Sequence, residues 1–361
     1  MDTLDEADIA LIHALQLRPR ASWRQLAAVL GEGAATLSRR WARLRESGLS
    51  WVMAYPSVDG VHGNRLAITE IACASGRVMS LAQELAAWPM VVTVEIAARE
   101  YGVVISIAGL DQSDLAEILL DRLPGVSGVT GMRTHLVGQL HHGANQWRIG
   151  GLDPRAAAAL ADLSPPAVRP ERTSDISPWA PPYGELVDAL TEDGRRSAAD
   201  LARITGRPLS TTRRQLTRLL GSGSMTFHCD VAQGVTGYPV IVQWWCKVPA
   251  VQMAASVARL RAEPTVRQVV SMPGSPNLLV TTWNRSVADA MRIQETLERE
   301  LAPLVVVDSA VILHQVKRLG WLLDSSGRNT GTFIPYSTEG TPAAPVRGYF
   351  ADAASEAPGK T

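Results

Sequence analysis

The chain has 361 residues, 46% of them hydrophobic and 19% charged, with 35 basic residues against 35 acidic ones and a formal net charge of zero. That length exceeds what one core usually organises, and the even charge balance excludes a globally basic nucleic-acid binder while leaving room for a local basic face. No long uncharged apolar run or basic-then-apolar leader appears, so a cytoplasmic protein without a membrane span is expected, and the scattered Cys73, Cys229 and Cys246 suit neither a disulfide framework nor a zinc site, leaving no metal or cofactor expected.

The chain opens with "LDEADIALIHALQL", whose Leu4, Ile9, Ile12 and Leu15 fall on one helical face. "SWRQLAAVL" predicts a second helix, with Ser22 as its N-cap and Gly31 as its breaker. A third helix spans about 34–47, with Leu37, Trp41 and Leu44 turned inward and Gly48 at its end. Three short helices with a tight turn before the last are the pattern of a helix-turn-helix. The pattern returns at a constant offset of 175: Leu26, Ala27, Gly31, Thr36, Arg39, Arg43, Leu44, Ser47 and Gly48 recur as Leu201, Ala202, Gly206, Thr211, Arg214, Arg218, Leu219, Ser222 and Gly223. In the second copy Leu186, Val187 and Leu190 mark the first helix, and Leu209, Thr212, Leu216 and Leu219 the inner side of the third. "WVMAYPSV" and "MTFHCDVA" then read as wing or linking strands.

After each head the period changes to that of strands. Four strands and two helices follow in the order β-α-β-β-α-β, from "RLAITEIACA" to "GVTGMRTHLV" and again from "YPVIVQWWCKV" to "LVVVDSAVILHQV". The expected fold is therefore α+β, a tandem duplication of a helix-turn-helix followed by a ferredoxin-like body. The expected boundaries are 3–58 and 59–142 for the first unit, 143–182 for a linker with a short helix, 183–231 and 232–320 for the second unit, and 324–361 for a disordered tail.

Positive charge gathers in the repeated heads: six arginines face two glutamates between 20 and 50, and seven arginines face Asp200 alone between 195 and 225. With the apolar positions of the third helices consumed by a core, Thr36, Ser38, Arg39, Arg40 and Arg43, and their counterparts Thr211, Arg213, Arg214, Gln215 and Arg218, are left to face double-stranded DNA. Arginines on a helix in the major groove supply both phosphate contacts and bidentate bonds to guanine.

On "LDEADIALIHAL", "QLAAVLGEGAATLSRRWARLRESGL", "DLARITGRPLSTTRRQLTRLLGSG", "PGSPNLLVTTW" and "HQVKRLG", the sequence resembles the Lrp/AsnC (feast/famine) regulators, in a long actinobacterial form with two fused units. The resemblance implies winged helix-turn-helix heads, a ligand-sensing body of the RAM type, and a small-molecule effector of amino-acid kind received near the turn joining the second and third body strands. Those turns hold Arg99, Glu100, Tyr101 and Gly102 in the first body and Gly274, Ser275 and Asn277 in the second. Gly102 and Asn277 replace the acidic residue usual there, and Gln215 replaces the arginine found at Arg40.

No phosphate loop, H-E-x-x-H or G-x-S-x-G motif stands in the chain, so an enzyme is not expected. The His141–His142 pair reads as an unliganded surface pair, since neighbours on a strand point apart. The alternative is a siroheme decarboxylase-like protein, since those enzymes resemble fused regulators of this fold and bind haem between the bodies. Of Trp244 and Trp245, adjacent on a strand, one is expected in the core and the other against a neighbouring body. A four-stranded sheet with both helices on one face needs a partner for the other, so the two bodies should form an internal pseudo-dimer that associates further into homo-oligomers.

Overall fold

A computed structural model describes residues 4–57, 66–109, 111–163, 181–301 and 303–337. The first head is α1 (Glu6–Leu17), α2 (Trp23–Leu30) and α3 (Ala34–Glu46). The Asp5 side chain caps α1, Ser22 caps α2, and Gly31, at φ +73°, ends α2 in the left-handed region. Strand β1 (Ser50–Pro56) leads into the first body: β2 (Leu66–Cys73), α4 (Val78–Ala86), β3 (Val91–Ala97), β4 (Val103–Ala108), α5 (Gln112–Glu117), continued by a π-helical turn, and β5 (Val129–Leu136). A further strand, β6 (Gln139–His142), and α6 (Pro154–Ala161) follow.

The second unit repeats the order with α7 (Gly184–Glu192), α8 (Ala198–Thr205), α9 (Leu209–Gly221), β7 (Met225–Val231), β8 (Val240–Lys247), α10 (Met253–Leu260), β9 (Val266–Ser271), β10 (Leu278–Asn284), α11 (Val287–Glu300) and β11 (Val305–Arg318). A hairpin of β12 (Trp321–Leu323) and β13 (Asn329–Phe333) closes the described chain.

The duplication extends to the pairing register. Strands β1 and β7 form an antiparallel ribbon in which Met53 lies opposite His228, its own counterpart at offset 175, so a pseudo-two-fold axis crosses the ribbon there. These strands therefore link the two units. The bodies form one sheet in the order β5-β2-β4-β3-β11-β8-β10-β9-β6. Each body is ferredoxin-like by itself, but its last strand is shared. The first part of β11 pairs with β8 of its own body, and the second part pairs with β3 of the other. Likewise β5 pairs with β2, and beyond Val137 and Gly138 the chain continues as β6 against β9. Gln315 opposite Glu95 and Leu140 opposite Val270 are the same contact shifted by 175.

Each sheet face has its own core. Ile71, Leu81, Leu85, Val94 and Ile105 pack the helices of the first body, and Val242, Trp244, Val257, Val280 and Leu297 those of the second. The alternate residues, among them Ile68, Ala97, Val104, Trp245, Leu279 and Ile312, form a third core between the bodies, as the two-residue period of strands requires. The tryptophan pair divides accordingly. Trp244 donates Nε1–H to Thr282 Oγ1 within its own body, and the Trp245 ring sits 4.7 Å from that of His135 on β5.

Three expectations need correction. Residues 324–337 are ordered: β12 pairs with the end of β11, Trp321 and Leu323 pack on Trp51 and Met53, and the Asn329 amide donates to the Gly48 carbonyl at 2.9 Å. A composition rich in Gly, Ser and Thr suited this hairpin because neighbouring strands supply its core. Residues 338–361 and the Pro-rich 164–180 lie outside the described residues. Leu209, assigned to the inner side of α9, is 37% exposed because it opens the helix beyond the reach of the head's core. His142 is buried rather than a surface residue, since β6 is covered through its pairing with β9.

Candidate nucleic-acid interface and interior cavity

In both heads the third helix is fixed by its inner residues, Leu37, Trp41 and Leu44 in α3 and Thr212, Leu216 and Leu219 in α9, all buried. That rotation leaves Thr36, Arg39 and Arg43 exposed on α3 with Ser38 and Arg40 half-buried, and Arg213, Arg214 and Arg218 exposed on α9 with Thr211 and Gln215 half-buried. Arg39, Arg213 and Arg214 make no hydrogen bond or ion pair with any described residue.

Arg40 is different. Its Nη1 donates to Asp5 and Asp8 at 2.8 Å each, and these bonds hold its guanidinium above the ordinary arginine range. Arg43 also reaches Asp8, at 2.5 Å. Asp8 is fully buried in α1, so Arg40 ties α3 to α1 and is not available to a base edge, contrary to its expected role. In the second head Gln215 accepts from Arg207, which also pairs with Glu185 at 2.6 Å. The two heads are therefore braced by different side chains at one equivalent position, and among the described residues α9 offers one more unpaired cation than α3.

The heads are joined by a reciprocal clasp. Arg20 donates to the carbonyls of Gly194 and Arg196, and its counterpart Arg195 donates to those of Pro19 and Ala21, at 2.5 and 2.9 Å. Burial lowers both guanidinium pKa values, that of Arg195 to about 10. These two arginines, part of the local positive charge in the sequence, thus fix the spacing of the heads instead of facing outward.

The expected effector turns are braced internally. Arg99 pairs with Glu70 at 3.0 Å and with Asp308 of the second body at 2.6 Å, and the Tyr101 ring receives the Arg133 guanidinium at 4.9 Å. Glu100 is exposed and Gly102 buried. Gly274, at φ +109°, and Ser275 are exposed, and the Asn277 amide bridges both backbone groups of Val248.

None of these seven residues lines the interior cavity, a space of about 620 Å³ between the sheet faces of the two bodies. Its walls include Tyr55, Glu95, Gln243, Arg267, Thr281, Gln315 and Arg318, none of them foreseen from the sequence. Arg267 and Arg318 converge on Asp230 Oδ1 at 2.7 and 3.1 Å. Burial opposes ionisation of Asp230, but Arg318, Arg267 and His228 outweigh it and hold the carboxyl well below its usual range. Burial also pulls Arg267 down to about 10 against the attraction of Asp230. Gln315 and Gln243 donate to the two oxygens of Glu95, at 2.5 and 2.6 Å. Burial pushes the Glu95 carboxyl upward in spite of those bonds.

Paired helix-turn-helix heads on α/β bodies define the class. Residues 4–45 match the AsnC-type helix-turn-helix domain, the only part of the chain that match covers. The chain is similar to the HTH-type transcriptional regulator FL11 of Pyrococcus furiosus, 28% identical over 139 residues, which is 38% of this chain and 91% of that protein. FL11 of Pyrococcus horikoshii matches at the same identity and coverage. Among solved structures, the siroheme decarboxylase NirDL superposes with a TM-score of 0.56 at 12% identity, covering 87% of this chain and 93% of that one. At that identity the likeness is one of fold, and it spans both units.

Proposed function

We propose that the chain is a sequence-specific DNA-binding transcriptional regulator that acts in the cytoplasm, with both heads contacting one duplex and a small-molecule effector, an amino acid or related metabolite, bound between the bodies. The observation that carries this reading is the pair of third helices: their apolar sides are buried, and Arg39 on one and Arg213 and Arg214 on the other project without a partner among the described residues. The regulators similar to the first unit support it. Two fused units let the heads arrive together yet differ in sequence, and the effector acts by favouring one arrangement of the bodies over another. Leu313 on β11 and Met291 on α11, 67% and 59% exposed, suit further association of the bodies into a homo-oligomer.

A titration of the protein against its own upstream DNA over a salt series tests this. Site-preferring binding that weakens steeply with salt is the expected result, and binding that is equal on random duplex would overturn it. The cavity and the fold shared with a siroheme decarboxylase favour a second reading, a tetrapyrrole-processing enzyme. A haem-like absorption band together with no preference for upstream DNA would select that reading.

A further inference from the structure

The pseudo-symmetry that governs the ribbon, the clasp and the sheet register breaks down along the wall of the interior cavity. At offset 175, Arg267 corresponds to Val92, Arg318 to Gly143, Gln243 to Ile68 and Gln315 to Leu140. All eight residues line the same cavity. The second copy supplies the polar member of each pair and the first copy the apolar one. Two identical subunits could not build such a site, because each wall would repeat on the other side.

The polar side is held rigid and is not self-satisfied. The Arg267 guanidinium lies 3.9 Å from the Trp283 ring centroid and 5.2 Å from that of Trp147, which fixes its plane. Its Nη2 is used by Asp230, while Nη1 has no hydrogen-bond partner among the described residues. Gln243 Oε1, Thr281 Oγ1 and Arg318 Nε are likewise without one, and all four side chains are more than nine-tenths buried. A buried donor of this kind costs stability unless something accepts from it. Both guanidiniums share the carboxylate of Asp230, which leaves Arg267 Nη1 and Arg318 Nε as buried donors on this wall with no acceptor among the described residues.

We propose that this cavity is the effector site and that its ligand is an organic anion with an apolar body, its carboxylate or equivalent acid group received by Arg267 and Arg318 and its body lying against Ile68, Val92 and Leu140. The volume falls in the range of small-molecule pockets. The site also touches the path to the heads. Met53, Ala54 and Tyr55 of β1 line it, and Asp230, the shared partner of both arginines, lies on β7. An anion that takes over guanidinium hydrogen bonds changes what Asp230 receives, on the strand that leads out of the second head. This deepens the effector part of the regulator reading and rests on it only for the link to DNA.

The test uses two dyes with one aromatic body, 8-anilinonaphthalene-1-sulfonate and the uncharged N-phenyl-1-naphthylamine, added to the full chain. The sulfonate should bind once per chain and about tenfold or more tighter than the neutral dye, the worth of one charge-assisted hydrogen bond. Arg267→Gln should reduce that ratio to near unity. Because Arg267 also supports Asp230, Ser106→Phe serves as a second variant: it fills the cavity from β4 and should abolish binding of both dyes with the melting temperature unchanged or raised. Equal affinity for the two dyes, sulfonate binding unaffected by Ser106→Phe, or no binding by the wild-type chain would each overturn the proposal. None of these outcomes depends on DNA binding, so the two readings fail separately.

Discussion

Arg20 and Arg195 occupy equivalent positions in the two heads, and each donates to the backbone that flanks the other: Arg20 to Gly194 and Arg196, Arg195 to Pro19 and Ala21. The contact is isologous although both sides belong to one polypeptide. It sets the distance between the two third helices, and with it the spacing of any DNA half-sites they read.

Replacing both arginines by alanine should lower stability by about 1–3 kcal/mol, because buried carbonyls lose charged donors. Urea unfolding measures that loss. The same double variant should tolerate a half-turn insertion between half-sites that the wild-type chain rejects, as read by gel shift on spaced duplexes.

The second head should dominate DNA affinity. Arg213→Ala and Arg214→Ala are each expected to flatten the plot of log affinity against log salt by about one phosphate contact, and Arg39→Ala to do so by the same amount for the first head. The double variant of α9 should therefore lose more than Arg39→Ala alone. An unchanged slope in all three would show that these helices do not face DNA.

Asp8 is the buried anchor for Arg40 and Arg43. Asp8→Asn should cost about 1–3 kcal/mol, discounted because Arg43 is half exposed and Arg40 keeps Asp5. The loss should be confined to the first head, so hydrogen exchange should quicken in α1 and α3 and stay unchanged in α7 and α9.

Lys317 is buried where β11 crosses to β3, with its Nζ donating to the Trp88 carbonyl at 2.9 Å, and burial lowers its pKa to about 7. Between that value and the unfolded value of 10.5 the unfolded chain binds more protons than the folded one, so stability rises with pH across this window. The full penalty is present below about pH 7, and well inside the window each step of one in pH relieves about 1.4 kcal/mol of it. Lys317→Met should raise the melting temperature at pH 6 more than at pH 10 and reduce the slope between them.

The helices of both heads and the strand order of both bodies were legible because each rests on local periodicity, and Leu37, Trp41 and Leu44 recur at helical spacing whatever surrounds them. Arg40 was not, because its partner Asp8 lies 32 residues away and only the packing of α1 on α3 brings them together. The cavity wall was further out of reach: Asp230 comes from β7, in the ribbon with β1, while Arg267 and Arg318 come from β9 and β11 of the large sheet, and only tertiary packing brings the three together. The offset of 175 held one usable signal. Laying Val92 under Arg267 and Ile68 under Gln243 shows apolar residues turning polar at inward strand positions, which surface drift does not explain.

The sharing of β11 and of β5 with β6 also governs how the chain is made. The first body leaves the ribosome with the free edge of β3 unpaired and with β6 lacking the strand it joins; β6 waits for β9, about 130 residues later, and β3 for the end of β11, about 220 residues later. At roughly 5–20 residues per second these intervals are on the order of 6–45 s, long enough for two nascent chains on one message to pair with each other's edges. The clasp and the ribbon, whose second members emerge before β8, give the two halves of one chain a tether that favours the intramolecular partner.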